Sequence, residues 1–298
     1  MSLVNAICEA KIGDRESRIL SSILNPPSSL SSNSGNQSSP SLPVFTETPW
    51  DALGPIVKER VLVNGRSFVI HRPDQSKHLL DHPSVQASFA ADEYLPYWTD
   101  LWPASRMLAK VTARECWTPG VPALEIGCGL GLPGIVALRQ GLRVTFADCD
   151  ASALRFAADN ARANNLHDFR LMQLDWRCPL ADLSFPIILA SDLAYELRNL
   201  IPLASFIKKV LQPGGICLLT DPDRPLAPRL REELNYEGLS FTTHIVRAGE
   251  PGGRRIKGTL YRIAHSPKAD FTRPLVPAYH DGSWTRTGEN GENREENQ

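Results

Sequence analysis

The chain has 298 residues, of which 42% are hydrophobic and 22% are charged, and its formal net charge at neutral pH is -1. This is enough apolar material for one large domain or two small ones. Such a charge balance does not suit a protein whose main work is holding phosphates along nucleic acid, so we expect no nucleic-acid partner. No apolar run approaches the roughly 20 residues that span a bilayer, so we expect no membrane partner either.

The six cysteines show neither a C-x-x-C pair nor a histidine at metal-binding spacing; they lie at positions 8, 116, 128, 149, 178 and 217. This pattern predicts reduced thiols, which are usual inside cells, rather than disulfides. The first residues also lack the charged start and the long apolar core of a secretory signal. We therefore expect a cytoplasmic protein.

Two segments, residues 22–43 and 281–298, consist mainly of small and polar residues with few large apolar groups. Such segments cannot bury enough surface to offset the entropy that is lost on ordering. The sequence therefore predicts a disordered segment over 1–45 and a disordered tail over 276–298. Between them it predicts one folded domain over 46–275, which begins with an extension of helix and strand.

Strand-like and helix-like segments alternate inside the folded region. Helical material at 77–92 and 103–116 comes first. Five apolar, buried-looking strands separated by helices then follow, at 121–126, 142–148, 169–175, 186–192 and 216–221. Buried strands that are joined by helices form parallel sheets with right-handed crossovers.

Local signals place the helices and the end of the sheet. Pro133 opens a helix after the first strand, and Asp150 can cap the helix after the second. A helix near 200–211 is ended by Pro213-Gly214-Gly215. After another helix near 224–236, two strands at 239–246 and 258–264 are joined by a loop and form an antiparallel closing pair. The prediction is an α/β protein with a doubly wound, mostly parallel seven-stranded sheet and an antiparallel closing strand.

The run Glu125-Ile126-Gly127-Cys128-Gly129-Leu130-Gly131 covers the end of the first of these strands. Glycines directly after a strand let the backbone turn tightly and approach a ligand, and the following helix N-terminus attracts anions. In a doubly wound sheet, this turn lies at the carboxyl ends of the strands, where ligands bind. Asp148 ends the next strand, 19 residues after Gly129. A carboxylate at that place can accept hydrogen bonds from both hydroxyls of a ribose.

Two classes of cofactor fit this turn. Gly129-x-Gly131-x-x-Gly134 formally matches the dinucleotide fingerprint, which is a weak signal on its own. That reading starts the turn at Gly129 and leaves Gly127-Cys128 as extra residues after the strand. If the turn opens at Gly127, Glu125 precedes it by two residues in an E-x-G-x-G-x-G arrangement. This arrangement resembles motif I of the class I methyltransferases, whose cofactor has an amino-acid end instead of a pyrophosphate.

Asp175-Trp176 lies at the end of the third strand, where class I methyltransferases hold adenine. The carboxylate can accept a hydrogen bond from the adenine amino group, and the indole can stack on the base. The alternative is that Asp175 caps a turn while Trp176 packs at the edge of the core. Pro213-Gly214-Gly215, before the fifth strand, also resembles the methyltransferase pattern.

Two further segments resemble one family in particular. Ser191-Asp192-Leu193-Ala194-Tyr195 contains a D-x-x-Y at the end of the fourth strand, and Pro96-Tyr97-Trp98-Thr99-Asp100-Leu101-Trp102-Pro103-Ala104-Ser105 precedes a helix. Both are similar to methyltransferase family 16, whose characterised members are mostly protein-lysine N-methyltransferases. The resemblance covers roughly 95–235 and implies a Rossmann-like sheet with S-adenosyl-L-methionine as cofactor.

The resemblance also implies roles for individual residues. Asp192 and Tyr195 would line the mouth through which the methyl group passes and act in catalysis. The residues that would bind the cofactor are Trp102, Glu125, Gly127, Cys128, Gly129, Asp148, Asp175, Trp176 and Ser191.

The implied activity is N-methylation of a lysine in a protein substrate, by an enzyme that we expect to be a monomer. A small-molecule N-methyltransferase of the nicotinamide or amine type is the alternative. More distant possibilities are a nicotinamide-dependent oxidoreductase and a non-catalytic module that only binds the cofactor. Methyl transfer from a sulfonium needs no metal, and we expect none. His78 and His82 could share a helix face with metal-binding spacing, but no third ligand is evident, so a solvated helix face is the preferred interpretation.

Overall fold

The computed structural model describes residues 46–74, 79, 81–178, 182–249 and 255–266. The two tails for which the sequence predicts disorder, 1–45 and 276–298, lie outside the described residues. None of the described helices is both long enough and apolar enough to cross a membrane.

A β-hairpin forms the strand part of the N-terminal extension. Strands β1 (Ile56–Val63) and β2 (Arg66–Pro73) pair antiparallel through their whole length. Asn64 and Gly65 connect them with φ values of 47° and 77°. Two successive residues with positive φ are typical of a type I′ turn, whose twist suits a hairpin.

Two helices follow the hairpin, and both are shorter than the sequence predicts. Helix α1 (Pro83–Asp92) begins directly after His82, whose ring accepts a hydrogen bond from Ser84 N. Helix α2 (Pro103–Thr112) also has proline in its first turn. Proline suits this position because its nitrogen needs no partner there.

The main sheet has seven strands in the order β5-β4-β3-β6-β7-β9-β8. Strand β9 runs antiparallel to its neighbours β7 and β8, and the remaining pairings in the sheet are parallel. This confirms the predicted Rossmann-like architecture with an antiparallel closing strand. The elements in chain order are β3 (Pro122–Ile126), α3 (Leu132–Arg139), β4 (Arg143–Asp148), α4 (Ala151–Ala163), β5 (Phe169–Gln173), β6 (Phe185–Ser191), α5 (Leu197–Val210), β7 (Leu211–Asp221), α6 (Ala227–Tyr236), β8 (Leu239–Ala248) and β9 (Ile256–His265).

Strand β5 differs from the prediction of five buried strands separated by helices. It lies at the edge of the sheet and three of its five residues are exposed. The described part of the connection from β5 to β6, residues 174–178 and 182–184, contains no helix. An edge strand pairs on one side only, so its sequence can remain more polar than that of a central strand.

Strands β3 and β6 are neighbours at the centre of the sheet. The chain leaves β3 toward β4 and β5 on one side, whereas β6 leads to β7 on the other side. Such a reversal opens a crevice at the carboxyl ends of the two strands, where ligands bind in doubly wound folds.

Two asparagines, one on α4 and one directly after it, hold the hairpin against the domain. Asn164 bonds to the N–H and the carbonyl of Val69, and Asn160 bonds in the same way to His71. Asparagine can do this because its amide carries both a donor and an acceptor. Asn160 also donates to the carbonyl of Leu130, so one residue connects the hairpin with the loop after β3.

The side chain of Asp150 connects the start of the described chain to the sheet. Asp150 is fully buried and accepts hydrogen bonds from the hydroxyls of Thr48 and Tyr94, from the indole of Trp98 and from the backbone of Ser152. A buried carboxylate needs such donors, because desolvation of its charge is otherwise costly.

We predict that Thr48→Val destabilises the fold by about 1–2 kcal/mol, because it removes a buried hydroxyl bonded to Asp150. Denaturant unfolding measures the change. The matched control is Thr243→Val on the exposed side of β8, where we expect almost no effect. Equal losses in the two variants would contradict the role of this contact.

Candidate functional site

A cavity of about 860 Å³, measured with its open mouth, lies at the carboxyl ends of β3 and β6. Its walls come from the glycine turn, from the ends of β4 and β6, and from the segment that precedes α2. It brings together nine of the eleven predicted site residues: Trp102, Gly127, Cys128, Gly129, Asp148, Trp176, Ser191, Asp192 and Tyr195.

The glycine turn opens at Gly127, directly after β3 ends at Ile126. Gly127 has a φ of 56°, and a Cβ atom added there would come within 2.5 Å of the side chain of Leu193. The backbone conformation therefore favours glycine at this position, and a larger residue would also have to displace the side chain of Leu193. The turn therefore opens at Gly127, as in the E-x-G-x-G-x-G arrangement. It does not open at Gly129, as the dinucleotide fingerprint would require.

Glu125 lies behind the turn and does not line the pocket. Its side chain is only 2% exposed, and Oε2 accepts a hydrogen bond of 2.9 Å from Gly134 N in the first turn of α3. Burial raises the pKa of the Glu125 carboxyl well above its usual range. The effect of Glu125 on a cofactor is thus indirect, because it fixes the start of the helix that follows the turn.

Asp148 faces the pocket from the end of β4. Its two oxygens accept hydrogen bonds from Gly129 N at 2.9 Å and from Asp150 N at 3.1 Å. Burial raises the pKa of Asp148 to about 6. Each carboxylate oxygen can accept more than one bond, so the side chain retains capacity for ligand hydroxyls.

The sequence left open whether Asp175 and Trp176 bind a base or have structural roles, and the two residues differ in this respect. Asp175 caps a turn by accepting from Arg177 N and from the Arg177 guanidinium, and it does not line the pocket. Trp176 does line the pocket. Its indole Nε1 is buried and has no hydrogen-bond partner among the described residues. The ring, rather than the carboxylate, is therefore the group available to a bound base.

Ion pairs connect the Asp175 turn to α1. The Arg177 guanidinium bonds to Asp175 and also pairs with Asp92 at 2.9 Å. Arg198, which follows the D-x-x-Y segment, pairs with Asp92 as well, at 3.4 Å. The C-terminal end of α1 thereby connects the turn after Asp175 with the first turn of α5.

Asp192 and Tyr195 follow β6 at the other end of the pocket. Asp192 has a φ of 58°, which is unusual for a residue with a side chain and is often found at functional sites. One of its oxygens accepts from Arg224 Nε at 2.8 Å, and the other is buried without a hydrogen-bond partner among the described residues. Tyr195 packs edge-on against Tyr97, with ring centroids 5.2 Å apart. Burial raises the pKa of Tyr195, so its hydroxyl keeps its proton.

Sequence reasoning did not assign roles to Arg224 and Tyr97, and both line the pocket. Arg224 follows the end of β7 by three residues. The rule that ligands bind beyond the carboxyl ends of parallel strands applies to β7 as well, and could have identified Arg224. Tyr97 stands inside the aromatic segment that resembles family 16, but no spacing rule separates it from its neighbours.

The described residues contain no group of three or more His, Cys, Asp or Glu side chains that could hold a metal ion. His82 caps α1 and lies 3.5 Å from Asp51, and His78 is outside the described residues.

Residues 98–232 match a family model described as lysine methyltransferase, Methyltransf_16. The ribosomal protein L11 methyltransferase of Nitrosomonas europaea is 31% identical over 195 residues, which are 61% of this chain and 59% of that protein. The histone-arginine methyltransferase METTL23 of Rattus norvegicus is 34% identical over 114 residues, or 35% of this chain and 49% of that protein. A solved ribosomal protein L11 methylase from Lactobacillus delbrueckii subsp. bulgaricus is 21% identical, with a TM-score of 0.43 over 54% of this chain and 79% of that chain.

The chain spans about three fifths of the first of these relatives and about half of the second. The matched region contains the glycine turn, Asp148, Trp176 and the D-x-x-Y segment, which are the motifs that carried the resemblance in the sequence. Over residues 98–232 the chain is therefore similar to the lysine methyltransferase family, and the relatives that it matches are methyltransferases.

Proposed function

We propose that this chain transfers the methyl group of S-adenosylmethionine to a nitrogen atom of a protein side chain, with lysine as the first candidate. One observation carries the proposal: a single pocket connects the glycine turn and Asp148 with Asp192 and Tyr195. Support for a protein substrate comes from the description of the matched family. The names of relatives add to it, because they include ribosomal protein L11, histone-arginine and histidine protein methyltransferases.

The pocket residues fit the proposed cofactor. Gly127 and Gly129 line the pocket without a side chain, so the amino-acid end of the cofactor can approach their backbone closely. Asp148 would accept hydrogen bonds from the ribose hydroxyls, and Trp176 would stack on the adenine. Bound S-adenosylmethionine would supply a methyl group on a positively charged sulfur. The aromatic ring of Tyr97 suits such a cation, because an aromatic ring is negative on its face.

At the other end, the residues would align an incoming nitrogen. The buried free oxygen of Asp192 can accept a hydrogen bond from the amine, and the hydroxyl of Tyr195 can orient it. These two residues would direct the nitrogen lone pair toward the methyl group, and the sulfur of the bound cofactor would be the leaving group. A lysine amine has a solution pKa of about 10.4, so it must first lose a proton to water. Most of the rate gain is then expected from alignment of the reacting atoms.

We also propose that the protein acts as a monomer in the cytosol. Every group assigned to the pocket comes from one chain, and the described cysteines are all free thiols. Free thiols are typical of reducing compartments.

The substrate class can be tested by incubating a cell lysate with the protein and tritium-labelled S-adenosylmethionine. We expect label in the macromolecular fraction, as methylated lysine after acid hydrolysis. Protein with Asp192→Asn and Tyr195→Phe together serves as the control and should leave that fraction unlabelled. Label confined to small molecules would favour an amine-type methyltransferase, and label in neither fraction would contradict the proposed activity.

We predict that Asp148→Asn weakens S-adenosylmethionine binding by about 1.5–3 kcal/mol, because charge-assisted bonds to two hydroxyls are lost. Binding to the unmutated protein should also weaken as the pH falls through about 6, since the raised pKa of Asp148 makes its carboxylate neutral there. Calorimetry measures both effects, with Asp159→Asn on the exposed face of α4 as the control. The ribose assignment is wrong if Asp148→Asn binds like that control.

We predict that Tyr195→Phe lowers turnover at least ~10-fold, or ~1.4 kcal/mol of transition-state stabilisation, while the affinity for the cofactor changes little. The substitution keeps the ring that packs on Tyr97 and removes only the hydroxyl. Steady-state kinetics on the labelled substrate gives kcat separately from cofactor affinity. Full activity would mean that Tyr195 only packs against Tyr97.

A further inference from the structure

Arg224 is held in place at the pocket by contacts on several sides. Its backbone N–H donates to Asp221 Oδ1 at 2.9 Å, so the loop after β7 is anchored to the strand end. Its Nε donates to Asp192 Oδ1 at 2.8 Å, and its guanidinium carbon lies 5.7 Å from the ring centroid of Trp102. Trp102 is in turn fixed by a hydrogen bond of 2.6 Å from its indole to the carbonyl of Tyr97.

This placement changes what Asp192 can do. An unpaired carboxylate at the mouth would attract a protonated amine and stabilise its charged form. Here the side chains of Asp192 and Arg224 are only 7% and 19% exposed, and their charges compensate each other at short range. The Asp192 oxygen without a partner still offers a hydrogen-bond acceptor to an N–H group. The pair can therefore orient a nitrogen through a hydrogen bond, and it attracts a protonated amine less strongly than a free carboxylate would.

Protonation decides whether an amine can react. An ammonium group has no lone pair, so it cannot attack the methyl group. A guanidinium within a few ångströms of the amine disfavours the charged form and lowers the amine pKa. The charge of Arg224 thus favours the neutral amine, which is the form that can react.

Several carboxylates lie near the pair. Asp221 contacts the backbone of Arg224 and is fully buried, and burial raises its pKa to about 6. Asp223 is exposed and accepts a hydrogen bond from Thr259. Asp100 and Asp148 line the same pocket. Among the residues that the structure describes, Arg224 is the cation that lines this pocket, so its removal takes away the charge that is paired with Asp192.

We propose that Arg224 is a positioning residue that orients Asp192 and, through its charge, makes the transfer end of the pocket (Asp192, Tyr195 and Arg224) favour a neutral nitrogen over a protonated one. The proposal rests on the proposed methyl transfer and adds to it the charge state of the nitrogen that the site accepts.

The test uses sinefungin, an analogue of S-adenosylmethionine in which a carbon with a primary amine replaces the methylated sulfur. This amine stands where the methyl group would be passed and is protonated in neutral solution. S-Adenosylhomocysteine, which has no group at that place, is the matched reference ligand. Calorimetry on the full chain gives the ratio of the two affinities, and this ratio reports on the charge preference of the transfer end without any knowledge of the substrate.

We expect Arg224→Gln to strengthen sinefungin binding about tenfold relative to S-adenosylhomocysteine, because an uncompensated Asp192 attracts the ammonium. Arg224→Lys keeps the charge and should keep the wild-type ratio within about twofold. The double variant Asp192→Asn with Arg224→Gln removes both charges and should return the ratio toward the wild-type value. Arg262→Gln is the control, since Arg262 pairs with Glu115 and does not line the pocket.

Each outcome is decisive. A ratio that stays within twofold of wild type in Arg224→Gln, or equal losses for the two ligands, would show that Arg224 only supports the fold of the loop. Such a result leaves the proposed methyl transfer untouched. Wild-type protein that binds neither ligand would instead contradict the cofactor assignment, and this proposal would fail with it.

Discussion

Two buried carboxylates, Glu125 and Asp148, accept hydrogen bonds from backbone N–H groups of the segment that follows β3, and the site depends on these contacts. Glu125 bonds to Gly134 in the first turn of α3, and Asp148 bonds to Gly129 in the turn itself. The first N–H groups of a helix have no partner within it, so a carboxylate from the neighbouring strand is an effective cap. A Cβ atom on Gly131 would come within 3.0 Å of the Cβ of Ala157, so the same turn also determines how closely α4 packs. The glycine turn therefore both forms a wall of the pocket and limits how closely the core can pack.

The N-terminal extension depends on that constraint as well. Asp150, two residues after Asp148, donates its own N–H to that side chain and accepts from Thr48 and Trp98 through its carboxylate. Trp98 lies against the turn, since a Cβ on Gly129 would meet its backbone at 3.5 Å. A change in the segment around Thr48 can therefore displace Asp148, which lines the pocket, because only two hydrogen bonds separate Thr48 from Asp148. The extension is part of the architecture of the site and not an addition to a complete domain.

Much of this was predictable from the sequence, because local signals carry it. The apolar strands, the glycines after β3 and Asp148 at the end of β4 follow from patterns that a few adjacent residues define. The sequence could not separate Trp176, which faces the pocket, from Asp175, which bonds to the next turn, because both roles suit the same two residue types. Glu125 presented the same difficulty, since spacing does not reveal on which side of the sheet a strand residue lies. The pairing of Arg224 with Asp192 could not be predicted, because it comes from the meeting of two loops that are 32 residues apart in the chain.

The charges at the two ends of the pocket suit the proposed methyl transfer. A carboxylate is useful at the proposed ribose end, where neutral hydroxyls need acceptors, and Asp148 lines the pocket there. At the transfer end, a free carboxylate would bind a protonated amine well but would hold it in the form that cannot react. It would stabilise the ground state more than the transition state, and such binding does not increase the rate. Pairing Asp192 with Arg224 retains an acceptor for orientation and reduces this stabilisation. In the same proposal, the aromatic ring of Tyr97 would offer the cofactor's positive charge a favourable surface that does not compete for the proton of the amine.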